Sequence, residues 1–508
     1  MSAAKVFDVI VVGSGAAGSL AAKVLTEGGL ETLVLDAGPR LDPLRDFPPP
    51  RAGDRPGSPL ERLQAILTGQ PVQSRGTLYR RHLRHLYVDD RQNPYTTGRG
   101  RPFYWIRGRQ IGGRLHTWAR LALRMSDLEL HDWPIAYADL APRYDRVEEL
   151  FGLDGEPDGL PQLPDGRYRA PRPLNPGECE LRRIVEERWP DRRVIQARVL
   201  RQELRQAPLP LRDAEATGRL TLRPDAVVRS IPTDPVTGKA RGVELADRVT
   251  KRVEEVRGRL VFLCASAFES VRILLNSGIG ATSGVLGRHI ADHVFLKRNG
   301  VLPRGVPFSG KDRDPYDFGS AQGFYIPSSR TTRGFGICGC IGRHGAWWWM
   351  GVFGEMLMRA ENRITLHPTR RDAWGVPAAH IECALSPNDR ALVADAGRAL
   401  DEIIEAAGLG DPARGAGRLQ AFLDRRSFTS GVARPGLAIH ELGGARMGSD
   451  PASSVLDPLC RVWDAPNVVV SDGACFVSGG YQNPALTIMA LSMRAAESAI
   501  ADFDRIAL

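Results

Sequence analysis

Three glycines near the N-terminus and the acid that follows them have the spacing of a cofactor site. Gly13, Gly15 and Gly18 form a Gly-x-Gly-x-x-Gly pattern directly after an apolar run, and Asp36 ends the next apolar run. The first glycine permits a tight turn, the second lets the backbone approach a pyrophosphate, and the third lets helix and strand pack closely. The helix N-terminus favours phosphate, and the acid is placed to accept hydrogen bonds from ribose hydroxyls. The pattern predicts a dinucleotide, NAD or FAD, held by Gly13, Gly15, Ala16, Ala17, Gly18, Asp36 and Ala37.

A second glycine-rich stretch contains the adjacent pair Gly112 and Gly113. Two consecutive glycines let backbone pass very close to a flat or phosphorylated ligand. Arginines flank the pair, and they are of a type that contacts phosphate. A plain glycine turn would account for the pair but not for the arginines and aromatic residues around it. We therefore expect this stretch to belong to the same site.

These glycines need strands and helices to position them, and the sequence supplies such elements far apart along the chain. Residues 259–264 are again an apolar strand that leads through small residues into a helix, which implies a discontinuous nucleotide domain. Residues 298–430 carry several strand-like runs and a helical pattern from Asn388 to Ala407. We assign them to a second domain that contains its own sheet.

Length and composition restrict the class of protein. A chain of 508 residues exceeds one ordinary core, so two or more domains are expected. The hydrophobic fraction of 43% and the charged fraction of 25% are typical of a soluble globular protein, and no apolar run reaches the length of a membrane span. The N-terminus leads straight into the first strand and leaves no room for a signal peptide, which predicts a cytoplasmic protein.

Charge and cysteine usage argue against two further classes of site. The net charge is +9, but the arginines alternate with acids instead of gathering on one face, so we expect a solvated surface and no nucleic-acid partner. Attraction of an anionic substrate is the second interpretation of this charge. The seven cysteines are scattered without the spacing of a metal site, so we expect reduced structural thiols and no metal.

Four blocks together resemble the glucose-methanol-choline (GMC) family of FAD-dependent oxidoreductases. They are the N-terminal glycine motif with Asp36, the stretch 108–113, the stretch 263–278 and the stretch 440–489, and the resemblance runs from residue 6 to the C-terminus. Within the family the chain is most similar to the bacterial pyranose- and glycoside-oxidising branch, whose members carry a tryptophan shortly after the double glycine, as Trp118 is here. The resemblance implies an α/β fold, with a discontinuous Rossmann-like FAD-binding domain and a second α+β substrate domain built on an antiparallel sheet.

The resemblance also implies domain boundaries. The FAD-binding domain is expected to comprise residues 1–45, 95–125, 200–297 and 430–508. The substrate-binding domain and its covering segments are expected to comprise residues 46–94, 126–199 and 298–429.

Roles for individual residues follow from the same resemblance. The family's active-site histidine matches His440, and its partner, a histidine or an asparagine in different members, matches Asn483. Asn483 and Pro484 also begin the helix whose N-terminus points at the flavin pyrimidine edge. Val228 matches the strand whose backbone holds the adenine. The remaining FAD contacts that the resemblance implies are Arg109, Gly112, Gly113, His116, Thr117, Ala265, Asp472, Gly473 and Ala485.

The chemistry of alcohol oxidation fits these types of residue. The reaction needs a base for the hydroxyl proton and an acceptor for the carbon-bound hydride, and no side chain accepts a hydride, so a cofactor must. A histidine has an unperturbed pKa of about 6.5, which suits proton abstraction near neutral pH. We therefore expect FAD-dependent oxidation of a CH–OH group to a ketone, with hydride transfer to flavin N5 and His440 as base.

One departure from the resemblance concerns how FAD is attached. Pyranose oxidases link FAD covalently through a histidine directly before the tryptophan that matches Trp118, and here that position is Thr117. The nearest histidine, His116, lies one residue earlier. We therefore predict non-covalent FAD, with His116 as a neighbour of the flavin or the substrate.

The substrate is expected to be a sugar or glycoside that is oxidised at a ring hydroxyl. Trp347, Trp348 and Trp349 suit stacking on a sugar face, although alternation along a strand lets at most two of them face one pocket, and core packing is the competing interpretation. A non-sugar alcohol or natural-product intermediate, and a flavoprotein without redox chemistry, are the alternatives. The electron acceptor, O2 or a quinone-like carrier, and assembly into a homo-oligomer are left open.

Overall fold

A computed structural model describes residues 5–49, 59–201, 205–308, 321–328, 334–410 and 431–507. The α-helices of these residues are α1 Ala16–Glu27, α2 Pro59–Leu67, α3 Tyr137–Phe151, α4 Pro176–Arg188, α5 Leu209–Ala216, α6 Ala267–Ser277, α7 Pro387–Ala406, α8 Ala485–Ala501 and α9 Phe503–Ala507.

The strands of the first half of the chain are β1 Val6–Val12, β2 Thr32–Leu35, β3 Thr96–Thr97, β4 Leu153–Asp154, β5 Tyr168–Ala170, β6 Ile195–Gln196, β7 Val199–Leu200, β8 Leu220–Arg223, β9 Ala226–Ser230 and β10 Gly242–Asp247. Those of the second half are β11 Val253–Leu263, β12 His293–Val301, β13 Phe324–Ile326, β14 Phe335–Ile341, β15 Trp347–Glu355, β16 Arg363–Arg371, β17 Pro377–Glu382, β18 Gly431–Val432, β19 Arg461–Val462 and β20 Ala465–Val470.

The larger sheet has the strand order β19-β20-β11-β1-β2-β8, with β10 and β9 added antiparallel beside β11. Strands β20, β11, β1, β2 and β8 are parallel to one another, so their carboxyl ends lie at one edge. Ligands of open parallel sheets bind outside that edge. The strands come from widely separated parts of the chain, which confirms the discontinuous Rossmann-like fold expected from the sequence.

The first helix and the last long helix pack against each other beside this sheet. The central strands β1 and β2 are mostly apolar and buried, as expected where both faces of a parallel sheet are covered. Helix α1 begins with small residues that let it approach closely, and the Ser492 hydroxyl of α8 donates to the Ala17 carbonyl at 2.8 Å. The two ends of the chain are thereby brought into one domain.

The second sheet has the order β18-β12-β15-β14-β13-β6 and is antiparallel throughout. Its two faces differ. One face packs against α7 through Leu400, Ile403 and Ile404 and forms a separate apolar core. The other face carries Phe295 and Phe353, whose rings stack at 4.5 Å between centroids. This antiparallel sheet is the one predicted for the second domain.

Several predicted domain boundaries cut across elements of the structure. The boundary at 297/298 falls inside β12, which belongs wholly to the six-stranded sheet. Thr96–Thr97, assigned from the sequence to the FAD-binding domain, pairs instead with Pro377–Glu382. Gly431–Val432 likewise pairs with β12. Thr96–Thr97 and Gly431–Val432 are each two residues long, so their sequence carries no detectable period that could have placed them.

Within the described residues no helix is long and apolar enough to cross a membrane. The same residues contain no cluster of His, Cys, Asp and Glu that could hold a metal ion. None of the seven cysteines, all of which the structure describes, forms a disulfide.

Candidate active site

A cavity of about 540 Å³ extends from the carboxyl edge of the parallel sheet to the open face of the antiparallel sheet. One end is the N-terminal glycine motif, and the other end is formed by His440 and the tryptophan strand. The predicted residues that line it are Gly13, Gly15, Ala16, Ala17, Asp36, Ala37, Arg109, Gly113, Thr117, Val228, Ala265, Trp347, Trp349, His440, Asp472, Gly473, Asn483, Pro484 and Ala485.

The three positions of the N-terminal motif require glycine for different steric reasons. Gly13 has a φ of +97°, and a Cβ there would lie 2.4 Å from the Cys264 carbonyl oxygen. A Cβ on Gly18 would lie 1.8 Å from the Gly13 carbonyl oxygen, so this position permits only glycine beneath the turn. A Cβ on Gly15 would meet no atom of the chain within 4 Å, because this residue faces the cavity. The open space at Gly15 is where a ligand can approach the backbone.

Asp36 connects the two glycine-rich stretches through Ser14. The backbone N–H and the hydroxyl of Ser14 donate to Asp36 Oδ2 at 3.0 and 2.5 Å, and Gly38 N–H donates to Asp36 Oδ1 at 2.9 Å. The same hydroxyl accepts from Gly112 N–H at 2.9 Å. Burial raises the pKa of the Asp36 carboxyl, against these hydrogen bonds, which lower it. The acid thus fixes the loops in addition to lining the cavity.

Helices α1 and α8 both begin at the cavity without a capping side chain. Helix α1 starts after Gly15, and helix α8 starts after Pro484. The first N–H groups of a helix have no intrahelical acceptor, and they carry partial positive charge. One helix therefore offers N–H donors at the glycine-motif end of the cavity, and the other offers them close to Asn483.

Two arginines lie beside the glycine loops, Arg107 buried and Arg109 half-buried. Arg109 donates to Asn93 Oδ1 at 2.5 Å and lies 3.5 Å from Glu269 Oε1. Arg107 stacks on Trp105, with its guanidinium carbon 4.1 Å from the ring centroid, and its Nε has no partner among the described residues. Burial lowers the pKa of Arg107 to about 10. Cationic groups held in this way favour an anionic ligand such as a pyrophosphate.

At the other end of the cavity, His440 lies between a second histidine and Asn483. His440 Nδ1 is 2.8 Å from His293 Nδ1, and His440 Nε2 is 3.2 Å from Asn483 Nδ2. Asn483 Oδ1 is buried without a partner in the described part of the chain. Burial, reinforced by His293 and Arg114, holds the pKa of His440 well below 6.5. The imidazole is therefore neutral at neutral pH and can accept a proton.

The loop that carries His440 is fixed from two sides. Asp292 accepts hydrogen bonds from the N–H groups of Gly436, Ala438 and His440 at 2.7, 3.1 and 2.9 Å. Arg114, next to the double glycine, donates to the carbonyl of residue 439 at 2.8 Å. Because the loop is held on both sides, the position of the imidazole depends on the fold and not on a flexible segment.

The wall of the cavity at the His440 end is aromatic. Trp347 and Trp349 project from β15 onto the cavity, and Trp348 projects from the other face. The Trp347 indole N–H donates to the His344 carbonyl at 2.7 Å, and that of Trp349 donates to the Ala321 carbonyl at 3.1 Å. Both rings are thereby oriented, and they present flat apolar surfaces to a ligand.

Comparison with known proteins assigns the family. The model of the N-terminal GMC oxidoreductase domain matches residues 7–295, and that of the C-terminal domain matches residues 358–492. The chain belongs to the GMC oxidoreductases. It is accordingly an FAD-dependent enzyme that oxidises CH–OH groups, as the sequence predicted.

Relatives within the GMC oxidoreductases are distant but match over nearly their whole length. The chain is 27% identical to 2-methyl-1,2-propanediol dehydrogenase of Mycolicibacterium austroafricanum, over 96% of this chain and 94% of the relative. It is 27% identical to paromamine 6'-oxidase of Streptomyces fradiae, over 98% and 92%. Among solved structures, pyridoxine 4-oxidase from Mesorbium loti superposes with a TM-score of 0.63 at 18% identity, over 97% of this chain and 99% of the other.

The residues present fit the FAD of a GMC oxidoreductase. Gly13, Gly15 and Asp36 line one end of the cavity, where the adenosine and pyrophosphate would lie. Asp472 lines the middle, and its carboxylate accepts from Ser270 Oγ at 2.6 Å and from Ala474 N–H at 2.9 Å, while burial raises its pKa to about 6. The open space at Gly15, the uncapped starts of α1 and α8 and the two arginines beside the glycine loops suit a long anionic cofactor.

Four residues of the predicted site do not line the cavity. His116 is buried and does not line the cavity, and its Nε2 lies 2.8 Å from the Ile111 carbonyl oxygen. Gly112 and Gly18 do not line the cavity either, and they shape the loops from beneath. Trp348 is fully buried in the core behind the sheet, because alternation along β15 points it away from its two neighbours.

Sequence reasoning missed residues that hold His440 from behind the cavity, and others that line the cavity, because their elements carry no local motif. His293 begins an ordinary apolar strand and Asp292 directly precedes it, and only the fold brings them to His440. The even spacing of β12 and β15 could have identified the aromatic wall, because alternate residues of paired strands share a face. Other lining residues outside the predicted set include Arg80, Arg107, Glu269, Phe295, Lys297, Gln322, Phe353 and Glu441.

Proposed function

We propose that this enzyme oxidises a ring hydroxyl of a sugar or glycoside to a ketone, with His440 as the base. The observation that carries the proposal is that His440, Asn483, Trp347 and Trp349 line the same cavity as the N-terminal glycine motif. A substrate between the two tryptophans and the imidazole would lie against the flavin end of the FAD site.

His440 would take the hydroxyl proton of the substrate at Nε2. The neutral imidazole has a lone pair there if its other nitrogen carries the hydrogen. Asn483 has a buried Oδ1 without a partner among the described residues, which can accept from the substrate hydroxyl and orient it. When bound, FAD supplies the acceptor for the carbon-bound hydride, a role that no side chain can take. The uncapped start of α8 would favour negative charge close by.

The aromatic wall supports a sugar as substrate. A pyranose presents a C–H face that stacks on flat rings, and two oriented indoles lie on one side of the cavity. Gln322 adds a buried Oε1 without a partner among the described residues, which can accept from a further hydroxyl. Paromamine 6'-oxidase and the C-glycoside 3-oxidase of Arthrobacter globiformis, which is 25% identical over 96% of this chain, are relatives whose names indicate such substrates.

A small non-sugar alcohol is the second candidate. 2-Methyl-1,2-propanediol dehydrogenase is as similar to this chain as paromamine 6'-oxidase is, at 27% identity each. The same base and cofactor would serve either substrate, because the proton and the hydride leave the same CH–OH group in both. The tryptophan wall distinguishes the two, since a small diol has no ring face to stack.

Anaerobic mixing of the FAD-loaded enzyme with matched alcohols tests the proposal. We expect glycosides to bleach the oxidised-flavin absorbance faster than small diols do, and Trp349→Ala to slow the glycosides alone. Faster bleaching by diols in both proteins would support the second candidate. No bleaching by any alcohol would contradict both redox functions and leave a flavoprotein without redox chemistry.

We further propose that FAD is bound non-covalently. Thr117 lines the cavity at the position where pyranose oxidases have the histidine that links FAD covalently. A threonine side chain has no nucleophilic ring nitrogen that could form such a link. Acid precipitation of the purified holoenzyme should release all of the flavin into the supernatant. Flavin that stays with the protein pellet would contradict the proposal.

We also propose that the electron acceptor is O2 or a quinone-like carrier and that the enzyme is cytoplasmic. Oxygen consumption with a glycoside would identify an oxidase, and reduction of a quinone dye without oxygen consumption would identify a dehydrogenase. Seven cysteines without a disulfide are typical of a reducing compartment, which supports a cytoplasmic enzyme. Fractionation of cells that express the chain measures its location directly.

A further inference from the structure

His293 lies directly behind His440 and does not reach the cavity. Its ring is buried, with 4% of the residue exposed, and stands edge-on to the His440 ring at 4.8 Å between centroids. The ring of Phe353 lies 6.1 Å from it on the cavity side. A buried imidazole in this position touches neither substrate nor cofactor, so any effect on the reaction must pass through His440.

The partners of His293 determine where its hydrogen is. Its Nε2 lies 3.1 Å from the Gly480 carbonyl oxygen, and its Nδ1 lies 2.8 Å from His440 Nδ1. A carbonyl oxygen only accepts, so His293 Nε2 must carry a hydrogen. A neutral imidazole has one N–H, which leaves His293 Nδ1 as an acceptor. The hydrogen between the two rings therefore belongs to His440 Nδ1.

We propose that His293 is a positioning residue that fixes the tautomer of His440. By accepting from His440 Nδ1–H, it leaves the lone pair of His440 on Nε2, the nitrogen beside Asn483. The inference rests on the proposed function, because that lone pair is the group that takes the substrate proton. The opposite tautomer would carry a hydrogen on Nε2 and could not act as a base there.

Asp292, the residue directly before His293, holds the backbone of His440. Asp292 Oδ1 accepts from His440 N–H at 2.9 Å, while His293 contacts the His440 ring. The first residue of β12 and the residue directly before it thus fix His440 at its side chain and at its backbone. Burial lowers the pKa of His293 to about 4, so it remains a neutral acceptor at neutral pH.

Two neutral substitutions separate the two hydrogen bonds of His293. The amide oxygen of His293→Asn occupies about the place of Nδ1 and can accept from His440, but it does not reach Gly480. The amide of His293→Gln reaches the place of Nε2 and can donate to Gly480, but it leaves His440 Nδ1 without an acceptor. We expect flavin reduction close to the wild-type rate in the first variant and about 10- to 100-fold slower in the second, because an unsatisfied buried N–H is strongly disfavoured.

FAD content and substrate KM should be unchanged in both variants, since neither contact touches a ligand. Equal rates in the two variants, or a slower rate in His293→Asn alone, would overturn the proposal. A merely structural role for the Gly480 contact predicts the second of these results. If wild-type flavin is not bleached by any alcohol, the proposed function fails, and the tautomer is then decided by the following measurement alone.

Nitrogen NMR of the FAD-loaded full chain reads the tautomer without turnover. With ¹⁵N-labelled histidine rings, and a His440→Ala sample to assign the signals, we expect a protonated Nδ1 and an unprotonated Nε2 on His440 near neutral pH. A hydrogen on His440 Nε2 would overturn the proposal whatever the variants do. This measurement also stands if a His293 variant fails to fold.

Discussion

His440 is half-buried at the wall of the cavity and has a cation and a second imidazole nearby, and both facts bear on the pH at which it works. Burial is the largest cause of its lowered pKa, and His293 and Arg114 act in the same direction. A base with a lowered pKa stays unprotonated as the pH falls, so acid inactivates it only well below the ordinary histidine range. The structure therefore predicts an enzyme whose chemical step tolerates mild acid.

The pH dependence of flavin reduction tests this prediction. We expect the rate constant of reduction at saturating substrate to stay level between about pH 8 and about pH 6, and to fall only at lower pH as His440 becomes protonated. A midpoint near 6.5 in wild-type enzyme would contradict the burial argument. His440→Ala is the control, because its residual rate should not titrate in this range.

His293 should also make the stability of the fold depend on pH. Its pKa is about 4 in the folded chain, below the value of 6.5 for a free histidine. The unfolded chain therefore takes up a proton below about pH 6.5 that the folded chain refuses until about pH 4, so stability falls as the pH drops through this window.

His293→Asn removes the titration while keeping the acceptor. The unfolding free energy of wild type relative to this variant should decrease by on the order of 3 kcal/mol between neutral pH and pH 4. Denaturant unfolding at several pH values measures the difference. An unchanged difference across that window would show that His293 titrates normally in the folded chain.

At the scale of elements, the turn between β1 and α1 contains two glycines with different roles. Gly18 is required for packing within the protein, and Gly15 leaves room for a ligand. An alanine at Gly18 would place its Cβ 1.8 Å from a carbonyl oxygen, while an alanine at Gly15 would enter open space. Gly15 also has a φ of −70°, which alanine adopts without strain. The two positions belong to one motif but have different physical roles.

Substitution at these two glycines gives a matched pair. Gly15→Ala should fold with nearly unchanged apo stability but bind FAD more weakly, because its methyl group occupies the approach to the backbone. Gly18→Ala should lower apo stability itself by about 1–3 kcal/mol, as expected for overpacking. Thermal unfolding with and without FAD measures both. Equal FAD affinity in Gly15→Ala and wild type would contradict the role of this loop.

Many of these elements were predictable from the sequence because the signals that specify them are local. A strand, a glycine turn and a helix occur within consecutive residues at Gly13–Gly18, and the structure forms them there. Alternation along β15 predicted that Trp347 and Trp349 could share a face without Trp348. The His293 contact was not predictable, because 147 residues separate it from His440 and an ordinary apolar strand carries it.

On the scale of the whole molecule, one cavity joins parts of the chain that are far apart in sequence. Residues from the first strand, the antiparallel sheet and the last long helix all line it. A cofactor in this cavity would contact both sheets, so binding should stabilise the molecule as a whole. The short strands Thr96–Thr97 and Gly431–Val432 also couple the two predicted domains, because the first pairs with a strand of the predicted substrate-binding domain and the second pairs with a strand that crosses a predicted boundary.

FAD loading should therefore raise the stability of the entire fold in a single transition. At a free FAD concentration about 100 times its Kd, the unfolding free energy should increase by about 2.7 kcal/mol over the apo protein. Calorimetry of apo and loaded protein measures this increase. Two transitions, of which only one moved with FAD, would show that the cofactor contacts one domain alone. Gly15→Ala serves as the control, with a smaller shift at the same FAD concentration.

The central claim is that His440 acts as the base in a flavin-dependent alcohol oxidation, and anaerobic stopped-flow reduction of wild type and His440→Ala tests it most directly. Both proteins should retain equal FAD, because His440 lies at the substrate end of the cavity. We predict that an alcohol which bleaches wild-type flavin does so about 10²- to 10⁴-fold more slowly in the variant. Equal rates of bleaching in the two proteins would contradict the claim.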